Sequence, residues 1–433
     1  MSSQYAAILE KIKEIPILDV HSHISTDHPH ARDISDILFY HFLRREAYSA
    51  GLPDDDYLVS SAPLSDRISA FFSILPKIEN TSTFWCVRKI LKDLYHVPEG
   101  EIHYGNWKDI QETIKEKEKD PEWPKKVFEQ ARIRHSLICE NHWDPESLNR
   151  NSFLSPLYED LYLFHFDPSR DQSLIDLIQK ENGQLPATAA SFAEVVFAFF
   201  QSKADQGIRY FTSFISSAFS LLKASPEKIE ATYQKQLLGH NLDPEEKNVL
   251  FTWLFYTYLE AMQQVKSPAQ FVMGARWARP GMRYGESYVW TNHQLTLDLM
   301  SVFRDFPQVR MSLMFAALPL AHELTILARM LPNVSLLGFW WHTLFPTVIE
   351  QLIAERLESL PINKWIAIAT DAYSVEWAYG KVSLVLQCLA KVLSQKMEEK
   401  YLTEQKALWI ARKLLYENPQ EIYGLSSTPE NNG

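Results

Sequence analysis

The sequence is poor in cysteine. Cys86, Cys139 and Cys388 are odd in number, far apart and outside any CxxC pattern, which argues against a disulfide scaffold and against a thiolate zinc site. A reducing cytoplasm is the simplest address. No long basic block occurs, and 43 Lys plus Arg stand against 54 Asp plus Glu for a net charge of −11, so nucleic acid is not an expected partner. No apolar run is long enough to span a membrane. The opening stretch MSSQYAAILEKIKEIP has Glu10, Lys11, Lys13 and Glu14 among its apolar residues, a pattern wrong for a secretory leader. Internal repeats and low-complexity linkers are also missing.

What is present is a large core. The 433 residues are 46% hydrophobic and 22% charged, with 12 Trp, 24 Phe and 19 Tyr, enough to bury one large domain or two. Short apolar, β-branched runs recur at 16–20, 135–139, 161–166, 208–214, 271–275, 309–315, 333–338 and 365–370. Helix-period segments such as TNHQLTLDLMSVFRDFP lie between the later ones, the alternation of βα units on a parallel sheet. Eight such units predict an α/β fold of the (β/α)8 TIM barrel type. The chain then reads as one elaborated barrel over 1–433, with helical insertions at 27–130 after the first strand and at 215–268 before the fifth. Within them, 34–51 and 247–265 carry apolar residues at the spacing of packed helices. The polar tail LSSTPENNG is expected to fray.

The stretch PILDVHSHIS places His21 and His23 two apart at the end of the first run. Side chains at that spacing on a strand point the same way, so both imidazoles can face one ion, and imidazole suits zinc and its neighbours. The spacing alone is weak, because HPH at 28–30 is a second copy, read here as loop, and packed or capping histidines are an ordinary alternative. Asp371 follows the last predicted strand in WIAIATDAYS. Barrel closure sets strand eight beside strand one and so brings Asp371 to the two histidines at the catalytic face. One divalent ion, zinc by preference, is the expected cofactor. The plainer alternative makes Asp371 the N-cap of the following helix.

DVHSH on the first strand with TD after the eighth resembles the amidohydrolase superfamily of metal-dependent barrels. The stretches HFLRREAYSAG (41–51), GFWWHTLFP (338–346), TDAYS (370–374) and YENPQEIYG (416–424) resemble, in the same order, those of the uronate isomerase (glucuronate isomerase) family. That resemblance implies interconversion of aldose and ketose hexuronates by moving a proton between C2 and C1. It implies metal ligation by His21, His23 and Asp371, with His41 placed near the substrate and Arg170 holding its carboxylate. Such a reaction needs a base beside the carbon and positive charge beside the oxygen; Asp371 or His41 could be the base. For His41 the alternative is a helix residue packed under the rim. Arg276, Arg279 and Arg283 in ARWARPGMRYGE form a second source of guanidinium for a sugar acid, although surface arginines are the plainer reading. Trp340 suits core packing, while Trp341 could stack on a sugar.

The chain departs from the family pattern in the pocket. Phe42 stands where the family has tyrosine, Tyr373 where it has the arginine of Asp-x-Arg, FTSF in place of Ser-Asp-His-Gly, and Val272 in place of a strand-five histidine. Three readings follow: a uronate isomerase acting on a hexuronate or related sugar acid, with Tyr373 in the pocket; a metal-dependent hydrolase or lyase of another carboxylated molecule; or a barrel that binds a small molecule without catalysis. A small-molecule partner, no membrane, and a homo-oligomer are the corresponding expectations.

Overall fold

Runs of aliphatic and aromatic residues buried on both faces build a parallel sheet. A computed structural model describes residues 3–54, 56–139, 153–160, 183–276 and 288–425. Its principal strands are β1 (Ile17–Ser22), β2 (Ile133–Cys139), β3 (Leu154–Asp160), β4 (Phe211–Ile215), β5 (Ala269–Met273), β6 (Met311–Phe315) and β7 (Val334–Leu336). They pair in parallel in their order along the chain. The result is a mixed α/β chain. A separate two-residue antiparallel ribbon joins Ala275–Arg276 to Tyr288–Val289.

Six strands lie on runs expected to form them, and two runs behave otherwise. The third expected run, 161–166, lies outside the described residues, and β3 is built from Leu154–Asp160 instead. Pro156 and the acidic Glu159 and Asp160 disguise it, because proline inside a run argues against a central strand; here Pro156 sits in register with Ile138. The eighth run forms no ladder. Trp365 makes a single parallel bridge to Leu336, Ala367 N donates to Leu414 O at 3.1 Å, and Thr370 N donates to the Asp19 carboxylate at 2.9 Å. Its backbone groups are thus satisfied outside a regular sheet. The segment nevertheless reaches both neighbours, with Ile366 N on Leu336 O at 2.9 Å, Asp371 N on His21 O at 2.8 Å, and His23 N on Ala372 O at 2.7 Å.

Two apolar clusters flank the strands. The larger unites their helix-facing side chains with the helices. The smaller takes Val20, Leu137, Leu157, Phe214, Val272 and Met314 from β1 to β6, together with Leu337, Ile366 and Ala369. Gly338 lets the eighth segment approach, since a Cβ there would lie 2.3 Å from Ala367 O.

Between β1 and β2 the described chain is helical, including His41–Ser49, Leu64–Ile74, Ser82–Tyr95, Trp107–Glu118 and Trp123–Gln130. The run 34–51 is two helices, Ile34–Leu38 and His41–Ser49. Tyr40 breaks it at φ −54°, ψ 139°, held by stacking on Trp377 at 3.8 Å and by its hydroxyl donating to Asp371 O at 3.1 Å. Buried Glu376 ties this region to the helix Val375–Glu398, accepting from Ala31 N, Tyr95 Oη and Trp123 Nε1 at 2.9–3.0 Å. Pro226–Leu237 and Pro244–Val265 precede β5. No helix among the described residues is long and apolar enough to cross a membrane.

Two outcomes test this packing. Gly338→Ala should destabilise the chain by about 1–3 kcal/mol through overpacking, read as a lower midpoint in urea; an unchanged midpoint would contradict the close approach. Burial pushes the His135 imidazole down to about 4, while its Nε2 pairs with Ser155 Oγ at 2.8 Å. The unfolded chain therefore binds a proton that the folded one refuses. Stability should be full above the ordinary histidine value and fall as pH drops from about 6.5 toward 4, by at most about 1.4 kcal/mol per pH unit. Urea unfolding of His135→Gln should show a shallower acid decline, and equal slopes would refute the assignment.

Candidate metal centre

His21 lies in β1, and His23 is the first residue past the strand, at its carboxyl end. Their rings meet edge to face at 5.3 Å. His21 Nε2 lies 3.8 Å and His23 Nε2 3.1 Å from Asp371 Oδ1. The pair and the aspartate expected from the sequence thus meet at one point. The cap of the helix Val375–Glu398 is Ser374, whose side chain accepts from Trp377 N, so Asp371 is not used there. Asp371 has φ +51°, a left-handed conformation that aspartate tolerates better than most residues; such strain gathers at functional positions.

The tautomer of His21 follows from its neighbours. Val20 O can only accept, so Gln270 Nε2 donates to it at 3.1 Å and to Tyr423 Oη at 2.9 Å. Gln270 Oε1 then faces His21 Nδ1 at 2.5 Å and requires a proton there. The lone pair of His21 is left on Nε2, toward Asp371. This is the orienting hydrogen bond that metal-bound histidines characteristically make.

Burial, with the neighbouring His23, pushes the His21 imidazole down to about 4, so the ring is neutral at physiological pH. Burial alone would raise the Asp371 carboxyl, but the His23 hydrogen bond and the charge of Lys381 hold it well below the usual carboxylate range. With His21 neutral, Lys381 is the cation that matters. Its Nζ lies 3.9 Å from Asp371 Oδ2 and donates to Thr370 O and Asp371 O at 2.8 and 2.9 Å. Burial lowers the Lys381 ammonium, and Asp371 opposes that.

A further donor stands close by. The ligand atoms of His21, His23 and Cys139 all lie within 4.8 Å of one another. Two imidazoles, an ionised carboxylate and a thiol are a donor set that suits a divalent ion such as zinc. Cys139 is not part of any paired-cysteine pattern in the sequence; it comes close because it ends β2 beside β1. Asp19, Gln270 and Lys381 were passed over. The signal available was a charged or amide side chain inside an otherwise apolar run.

Other expected residues are placed as follows. His41 opens its helix, and its ring lies 5.2 Å from that of Tyr373; burial pushes it down to about 3. Tyr373 is 51% exposed and stacks on His23 at 5.0 Å and 16°. Trp340 is buried in the smaller cluster, matching a packing role. Trp341 opens a short 3-10 turn, and Arg276 lies in the ribbon; neither side chain is described. Arg170, Arg279 and Arg283 lie outside the described residues.

No family model matches the sequence, and no curated protein does. Solved structures do. A uronate isomerase from Thermotoga maritima superposes with a TM-score of 0.86 at 15% identity, covering 98% of each chain. The chain has the uronate isomerase fold. A glucuronate isomerase from Caulobacter crescentus gives 0.86 at 16%, covering 99% of this chain and 95% of that one. A uronate isomerase from Bacillus halodurans gives 0.78 at 15%, covering 99% and 98%. The resemblance carried by the sequence motifs is therefore met over the whole length of the fold, at low identity.

Elemental analysis of the purified protein should find one divalent ion per chain, and the double variant His21→Ala, His23→Ala should hold none. Equal metal content in the two would exclude this centre.

Proposed function

We propose that this chain is a divergent member of the uronate isomerase family, a metal-dependent isomerase of a hexuronate or related sugar acid. The observation that carries the reading is the convergence of His21, His23 and Asp371 at the carboxyl end of β1, on a fold shared with uronate isomerases over 98% of the chain. In this reading the sheet is a (β/α)8 barrel closed through 365–372, and the helices between β1 and β2 are an insertion over its mouth. The small cluster drawn from successive strands and from Ile366 and Ala369 supports that closure.

Aldose–ketose isomerisation moves a proton between C2 and C1, so the site must accept a proton and return it. Two groups can do so. Asp371 is ionised at neutral pH, and His41 is neutral there because burial disfavours its charged form. Lys381 holds the Asp371 backbone from behind, and Tyr40 fixes the same carbonyl, so the carboxylate is positioned before substrate arrives. A divalent ion bound by His21, His23 and Asp371 would supply positive charge beside the oxygen that becomes negative during transfer. Tyr373 offers an exposed phenol at the mouth, stacked on His23.

Tyrosine donates one hydrogen bond but cannot neutralise a carboxylate. Turnover of glucuronate and galacturonate should accordingly be weak, with higher activity on a related sugar acid or lactone. Tyr373→Arg should raise kcat/KM for glucuronate about tenfold or more, the worth of a charged hydrogen bond. Steady-state assays across hexuronates, aldonates and their lactones measure both. Efficient turnover of glucuronate by the unmodified protein would show that the phenol is tolerated. Lactone hydrolysis without any isomerisation would replace this reading with a hydrolase.

A further inference from the structure

We infer that Tyr423 is a positioning residue for the metal centre, acting on His21 through Gln270; this rests on the reading of His21, His23 and Asp371 as that centre. Tyr423 closes the short helix Asn418–Tyr423 and is buried in the smaller apolar cluster. Its Oη accepts from Gln270 Nε2 at 2.9 Å, while the same Nε2 donates to Val20 O at 3.1 Å and Gln270 Oε1 faces His21 Nδ1 at 2.5 Å. Both N–H donors of that amide are thus used.

The last torsion of a glutamine side chain has broad minima, so hydrogen bonds rather than a rotamer well hold its amide plane. Two acceptors hold it here, one on β1 and one on the C-terminal helix. Val20 O decides which end of the amide faces His21, and Tyr423 Oη stops the plane from turning. Burial pushes the Tyr423 phenol up to about 12, with Ser312 as its other hydrogen-bonding neighbour. It is therefore an uncharged hydroxyl that accepts from Gln270 and keeps its own proton.

The helix that carries Tyr423 is itself held. Asn418 Nδ2 donates to Ile362 O at 2.7 Å and to Trp365 O at 2.8 Å, and Arg310 Nη1 donates to Glu421 O and, at 3.4 Å, to Ile422 O. One short helix accordingly braces both the segment leading to Asp371 and the residue behind His21. An imidazole whose orienting partner can turn must be ordered when an ion binds, which weakens binding. One neutral hydrogen bond is worth about two- to tenfold in an equilibrium, and that sets the size of the effect.

The full-length protein, Tyr423→Phe, Gln270→Leu and the double variant test this. Zinc affinity, from competition with a chromogenic chelator, should fall about two- to tenfold in Tyr423→Phe and about tenfold or more in Gln270→Leu. Once Gln270 is replaced, the change at Tyr423 should have no further effect. An equal fall in both backgrounds would make Tyr423 a packing residue and overturn the inference, as would unchanged affinity in Tyr423→Phe. Nitrogen-15 NMR of the metal-free protein gives a second readout. The unmodified protein should carry the His21 proton on Nδ1, and that proton should exchange with solvent about twofold faster or more in Tyr423→Phe. Unchanged exchange, or a proton on Nε2 instead, would refute the link. The tautomer of the unmodified protein is read even where a variant folds poorly. If the unmodified protein binds no zinc, the reading as a metal centre falls, while the exchange measurement still decides whether Tyr423 orders His21.

Discussion

The site depends on one buried carboxylate that is not itself a proposed ligand. Asp19 Oδ1 accepts from Thr370 N at 2.9 Å, and its Oδ2 accepts from Thr370 Oγ1 at 2.6 Å and Ser136 Oγ at 3.0 Å. These bonds tie β1, β2 and the eighth segment together at one point. Burial pushes the Asp19 carboxyl up to about 6 against them. A carboxylate in that position is costly unless its oxygens are satisfied, and satisfied it specifies one arrangement. Thr370 is thereby anchored, and the next residue, Asp371, is delivered beside His21.

Around that anchor the polar groups form layers. Gln270 from β5 sets the tautomer of His21, while Lys381 from the helix Val375–Glu398 holds the backbone of Asp371. Tyr40, at the break between two helices, bonds the same carbonyl and turns His41 toward Tyr373. The Gln270 and Tyr40 contacts join elements far apart in the chain, 249 and 331 positions, while Lys381 reaches back ten. The centre is accordingly preorganised by the fold rather than by a local loop, as a site that must hold charge in a dry environment requires.

Much of this was legible in the chain. The alternation of buried strand runs with helix-period segments depends only on local side-chain pattern, and so the parallel α/β architecture could be read directly. The HxH spacing and the aspartate after the last run depend on strand geometry and strand order, which the same pattern supplies. β3 was not legible, because Pro156 and two acids mask a strand whose neighbours on both sides protect it. Nor was the irregularity of 365–370, where Ala367 N and Thr370 N leave the ladder for partners 47 and 351 residues away.

The sequence by itself determined the class of fold and the three residues most suited to hold an ion, because both follow from periodicities of a few residues and from the chemistry of side chains. Tertiary structure alone decided which other groups meet them. Cys139 beside His21, Gln270 behind its ring and Asp19 across to Thr370 are contacts between residues 118, 249 and 351 positions apart, and Lys381 beneath Asp371 spans 10. No local pattern records such contacts, since each arises from the register of neighbouring strands and from the need to satisfy a buried polar atom wherever the fold happens to place a partner.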